Sequence, residues 1–125
     1  MPYELDRKAA LSCLNSEIET LYQLRNSVTP VLSRVLDVLQ NTKGHVIVTG
    51  MGKSGHIGRK IAASLSSTGT PSFFLHPAEA SHGDIGMITC NDALIAISNS
   101  GESKELTDII SYCKQCRVFI IAVTK

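Results

Sequence analysis

Two short stretches of this chain bring together the residue types that hold small anions. In Gly50-Met51-Gly52-Lys53-Ser54-Gly55, glycines let the backbone come close to a ligand while a cation and a hydroxyl stand beside them. In Ser98-Asn99-Ser100-Gly101-Glu102-Ser103, three hydroxyls and an amide precede a helical pattern. Both stretches follow an apolar run and lead into a helix, so backbone N–H groups point outward at each. A phosphate is the ligand this chemistry suits. The Gly-Lys-Ser string is not a nucleotide P-loop, because Ile47 stands where that loop needs its first glycine. Gly50, Gly52 and Gly55 do satisfy the dinucleotide spacing GxGxxG. That fingerprint expects an acid at the end of the second strand, however, where His76-Pro77 stands with Glu79 slightly beyond. Two anion-binding loops with one lysine favour a small phosphorylated, polyhydroxylated ligand over an extended dinucleotide.

The elements that position these loops are legible from periodicity. Residues 4 to about 40 read as helical, with Leu11, Leu14, Ile18 and Leu21 forming a stripe expected to be buried. Ser27-Val28-Thr29-Pro30 predicts a break, with Thr29 as N-cap and proline opening a second helix. From His45 the pattern becomes strand-like over residues 45–49, 72–75, 93–98 and 118–124. Helices are expected over 57–68 and 104–116, with Gly69-Thr70-Pro71 stopping the first. Apolar strands separated by helices predict an α/β fold: a three-layer sandwich on a parallel sheet.

Composition bounds the rest. A chain of 125 residues, 43% hydrophobic and 18% charged, has the proportions of one globular domain. Twelve Lys and Arg against eleven Asp and Glu leave a net charge of +1, with no basic run to engage nucleic acid. The apolar runs fall short of the ~20 residues of a membrane span. Residues 1–7 lack the basic and apolar regions of a signal peptide, so a cytoplasmic protein is expected. Four cysteines at irregular spacing read as free thiols; Cys113-Lys114-Gln115-Cys116 falls late in a helix and reads as helix-face packing.

The run 46–58 (VIVTGMGKSGHIG), followed by Gly69-Thr70-Pro71 through His76-Pro77, Ser81-His82-Gly83-Asp84 and residues 97–103 (ISNSGES), resembles the sugar isomerase (SIS) domain of the arabinose 5-phosphate isomerases. The resemblance runs through the whole chain: a helical part over 1–44 and a phosphosugar-binding, flavodoxin-like part over 45–125. It covers only the first portion of such an enzyme, through the fourth strand. Many family members append paired CBS domains, which are not expected within residues 1–125.

The resemblance implies interconversion of D-arabinose 5-phosphate and D-ribulose 5-phosphate through an enediol, on the route to the Kdo sugar of lipopolysaccharide. No cofactor is needed. Lys53 would supply positive charge where the enediolate develops, Glu105 matches the family's catalytic glutamate as base, and His82 would move protons between the oxygens. Gly52, Ser54, Gly69, Thr70, His76, Ser98, Asn99, Ser100, Gly101 and Ser103 match substrate-binding positions, with His82 contacting substrate as well. His76 also matches a residue implied to take up an inhibitory zinc. The family uses a further glutamate and histidine beyond the position of Lys125 and completes its pocket between subunits. The expectations are therefore a homo-oligomer that binds a phosphosugar, and weak or no turnover by this chain alone. A non-catalytic phosphosugar-binding regulatory module and a dinucleotide-binding domain are the competing readings.

Overall fold

The computed structural model describes residues 3–125, except the side chain of Thr29. Met1 and Pro2, part of the stretch read as lacking a signal segment, lie outside the described residues. The chain divides into two compact units, one ending at Leu36 and one spanning Asp37–Lys125.

Helix α1 runs unbroken over Glu4–Asn41 with Pro30 inside it, so the expected break does not occur. Proline's fixed φ is compatible with a helix, and its missing N–H removes one hydrogen bond. Ending the helix there would instead leave several carbonyls and N–H groups without partners on either side. The expected N-cap role of Thr29 concerns a side chain outside the described set. The stripe on the first half of α1 is exposed rather than buried: Leu11, Leu14, Ile18 and Leu21 are 49–63% accessible.

The second unit carries four parallel strands, β1 Val46–Gly50, β2 Ser72–Phe74, β3 Ala93–Ile97 and β4 Phe119–Val123, in the order β2-β1-β3-β4. Each lies within a residue or two of its expected place. Helix α2 covers Gly52–Ser67, starting well ahead of the expected Ile57, because Gly-Lys-Ser-Gly offers no apolar residue to reveal a helical period. A short helix α3, Pro77–Ser81, and a 3-10 turn at Asp84–Met87 fill the connection from β2 to β3. The last expected helix is a 3-10 turn, Lys104–Leu106, continuing into α4 over Thr107–Gln115.

The register places Val46, Val48, Ile95 and Ile121 on one face and Ile47, Leu94, Ala96 and Ile120 on the other. Helix α2 packs on the first face. It comes close because Gly58 has no Cβ: one there would sit 3.0 Å from the Phe74 ring and 3.2 Å from Val48. The second face forms the main core, where Ile47 and Leu94 meet Ala80, Ile88, Ile109, Cys113 and Val118. Ile47, Leu94 and Ile109 are fully buried, each contributing about 2–3 kcal/mol of apolar burial. These are the three expected layers: helix, parallel sheet, helices.

The amino-terminal edge of the sheet is locked by Asp92. Its carboxylate accepts from the His45 N–H at 2.7 Å, the Thr89 N–H at 2.7 Å and the Thr89 hydroxyl at 3.0 Å. Gly69 and Thr70 also sit at this edge. Gly69 adopts φ +97 and the Thr70 amide reaches back to the Leu65 carbonyl at 2.9 Å, so the pair terminates α2 before β2 begins.

Candidate functional site

At the opposite, carboxyl-terminal edge, the chain leaves β1 toward β2 on one side and later returns to β3 on the other. The crevice between β1 and β3 is thus the point where the strand order reverses, the place where open α/β sheets take ligands. Both anion-binding stretches lie at this point.

The first begins directly at Gly50. Met51, the N-cap of α2, offers no side-chain hydrogen bond to the first turn. The helix therefore presents free N–H groups and its positive dipole end to the crevice. The glycines make this approach possible: a Cβ on Gly55 would lie 2.6 Å from the Gly50 carbonyl oxygen, closer than real side chains come. Lys53 and Ser54 stand in the first turn of α2. They line a cleft of about 390 Å³ with Ile57, Ile97, Asn99, Val123, Thr124 and Lys125.

The second stretch is tied largely to itself. The Ser98 hydroxyl lies 2.7 Å from that of Ser103 and accepts from the Gly101 N–H at 3.1 Å, while Ser100 accepts from the Glu102 N–H at 3.1 Å. Gly101 takes φ +71, the left-handed turn that a side chain would strain. The end of the chain runs alongside, with the Lys125 N–H donating to the Asn99 carbonyl at 3.2 Å. Ser98, Gly101 and Ser103 line a second cleft, of about 520 Å³, together with Lys104, Lys114 and Thr124. The Ser-rich loop therefore straddles two clefts, and only its Asn99 shares the one with Lys53.

Glu105 is exposed in the 3-10 turn that follows this loop, and His82 is the exposed C-cap of α3. Their segments are joined by the Ser81 hydroxyl, which donates to the Asp108 carboxylate at 2.8 Å. His76, half-buried at the carboxyl end of β2, caps α3: its Nδ1 accepts from the Ala78 N–H at 3.2 Å.

The structure thus brings Lys53, Ser54 and Asn99 into one cleft. Gly52 and the Ser98–Ser103 loop stand at the same edge, as do His76 and the linked His82 and Glu105 segments. It does not bring Gly69 and Thr70 to them. Among the described residues no three His, Cys, Asp or Glu side chains gather at His76 to hold a metal ion, and its Nδ1 accepts from the Ala78 N–H. Lys125 lines the Lys53 cleft without any motif to mark it beforehand, brought there by the alignment of β4 with β3, and Ile57, within the 46–58 motif, lines it although no role was expected of that residue.

Away from this edge, burial pushes the Cys113 thiol up to about 11, reinforced by Cys116 and Asp92, and a hydrogen bond with Cys116 raises Tyr112. Cys113 is a core residue, as its place on the helix face implies.

Comparison with known proteins places this geometry. The chain is 52% identical over 118 residues to arabinose 5-phosphate isomerase KdsD of Francisella tularensis, covering 92% of this chain and 36% of that protein. It is 52% identical over 120 residues to arabinose 5-phosphate isomerase KpsF of Escherichia coli CFT073, covering 95% and 34%. It therefore spans about a third of the length of these curated relatives. An E. coli CFT073 protein solved in complex with arabinose 5-phosphate superposes with a TM-score of 0.87 at 38% identity, over 97% of this chain and 65% of that one. The SIS domain profile matches residues 39–125, nearly all of the second unit with both anion-binding loops, and the chain belongs to the SIS domain family.

Proposed function

We propose that this chain is a phosphosugar-binding part of an aldose–ketose isomerase that interconverts D-arabinose 5-phosphate and D-ribulose 5-phosphate. The observation that carries this reading is the cleft in which Lys53 and Ser54, at an uncapped helix N-terminus, meet Asn99 from the next loop. The phosphate would sit against the first turn of α2, with Asn99 of the Ser-rich loop beside it. Isomerisation moves a proton between C1 and C2 through an enediolate. Glu105 would take and return that proton, His82 would serve the oxygens, and Lys53 would stabilise the developing negative charge.

The names of the relatives support the substrate, and supply of the Kdo route in the cytoplasm is the process this substrate suits. The exposed stripe Leu11, Leu14, Ile18 and Leu21 supports self-association, since apolar surface of that extent favours a partner. Sedimentation of the purified chain tests that part: a monomer at all concentrations contradicts it.

Calorimetric titration with arabinose 5-phosphate, followed by proton NMR of the same mixture for ribulose 5-phosphate, tests the central reading. Saturable binding is expected, with Glu105→Gln removing any conversion while leaving binding within about twofold. Binding of NAD without pentose phosphates would overturn it in favour of a dinucleotide module. Binding with no conversion agrees with the weak or absent turnover expected of this chain alone, whereas conversion that persists in Glu105→Gln would overturn the role given to Glu105.

A further inference from the structure

Helix α1 carries a pattern that the phosphosugar site does not use. Every described side chain from Glu4 to Arg34 is exposed. Along that stretch Leu11, Leu14, Ile18, Leu21, Val28 and Leu32 follow the alternating three- and four-residue spacing of the a and d positions of a heptad, with Arg25 at the one place left between Leu21 and Val28. Arg25 lies against the Tyr22 ring, 5.5 Å from its centroid. One polar residue in such a seam sets register and partner number at some cost in stability. Pro30 falls with Ser16 and Gln23 on the opposite, outer side of the heptad, so the ring that interrupts the helix's hydrogen bonds stays off the seam. A helix gains most of its stability from packing an apolar face, and this face has no cover within its own unit. The strict repeat of 3.5 residues suits another helix, because two helices that wind about each other keep such a seam in contact along its length.

Charge indicates which helix fits. Glu4, Asp6, Glu17 and Glu19 outnumber Arg7 and Lys8 over residues 4–20, whereas residues 21–36 carry Arg25 and Arg34 and no acid. The helix is therefore acidic in its first half and basic in its second. Turned end for end it complements itself, and laid alongside itself in the same direction it sets like charges together. We propose that α1 pairs antiparallel with α1 of a second copy of this chain, the two seams closing on each other. This rests on the self-association reading and adds to it the surface and the direction; it is independent of which sugar is bound.

Sedimentation equilibrium of the purified chain at low salt gives the dissociation constant of the pair. The triple variant Leu14→Ala, Ile18→Ala, Leu21→Ala changes exposed positions and keeps helix propensity, and should raise that constant about a hundredfold. Ser16→Ala with Gln23→Ala, on the outer side, should leave it within about twofold. An assembly that the triple variant does not weaken overturns the seam while self-association stands, and a monomeric unmodified chain overturns both. The direction is read from the sign of a charge effect. Glu17→Gln with Glu19→Gln removes attraction from an antiparallel pair but repulsion from a parallel one. The constant should rise about three- to tenfold, with the difference shrinking as salt is added. An unchanged or lower constant overturns the antiparallel arrangement.

Discussion

The two edges of the sheet are built on opposite principles. At the amino edge Asp92 is buried, and every bond it accepts comes from the protein itself. At the carboxyl edge the first turn of α2 has no capping side chain, and Lys53 stands exposed in a cleft. One edge spends its polar groups on folding, and the other leaves them for a ligand. The carboxyl edge is itself divided, since the Ser98 loop satisfies its own hydroxyls whereas the Lys53 turn does not. The division suggests a preshaped wall facing an open anion seat.

The contrast breaks down if a change at one edge shows up at the other. Asp92→Ala removes the buried carboxylate that accepts from the His45 and Thr89 N–H groups and the Thr89 hydroxyl, and should cost about 2–4 kcal/mol in denaturant unfolding with anion affinity intact among folded molecules. Gly55→Ala forces a Cβ against the Gly50 carbonyl; about 1–3 kcal/mol of stability should be lost and affinity with it, since α2 must shift. Lys53→Ala is expected to lower phosphosugar affinity by roughly tenfold or more, with the unfolding midpoint unchanged.

Titration of Cys113 sharpens the contrast. Its thiol is raised to about 11 from an ordinary 9.0, so the folded chain holds this proton where the unfolded chain releases it. Stability should therefore be fully present below pH 9.0 and fall by about 1–2 kcal/mol as pH rises to about 11, and Cys113→Ala should flatten that decline. Smallest is Ser98→Ala. It should cost about 1 kcal/mol and speed amide exchange in residues 99–103, because it removes the partner of the Ser103 hydroxyl and leaves the Gly101 N–H only the Ser98 carbonyl.

Much of this architecture is legible in the sequence, for identifiable reasons. The strands stand out because continuous apolar runs flanked by glycine and proline rarely form anything else in a chain of this size. The glycines of residues 50–55 point to an anion seat leading into a helix, though not to where that helix begins. Pro30 misleads because a local signal for helix initiation is outweighed by the helix continuing on both sides of it. The stripe on α1 misleads for a different reason: periodicity reports that a face is apolar, not that anything in the same chain covers it. The start of α2 is hidden because residues 52–55 have almost no hydrophobic pattern. Gly69 and Thr70 look like neighbours of the other motifs in one dimension, but a parallel strand carries the chain from one edge of the sheet to the other. The Ser98–Ser103 contact, the Asn99–Lys53 cleft and the cap by His76 depend on side-chain geometry that no spacing rule encodes.

The sheet order also dictates how the chain must assemble. Thr49 reaches Leu75 across 26 residues, whereas the His45–Asp92 contact beside the β1–β3 pairing spans 47. Closing the longer loop costs only about half a kcal/mol more in chain entropy. Yet the central pair of the sheet cannot form until β2 and its flanking helices have been bypassed. We predict that the β1-α2-β2 unit gains protection first in pulsed hydrogen exchange, and that docking of β3 limits the rate; simultaneous protection of Leu75 and Ala93 amides would refute this order. Until that docking, β1 presents one bare hydrogen-bonding edge to every other unfolded copy in solution, so refolding yield should decline with protein concentration.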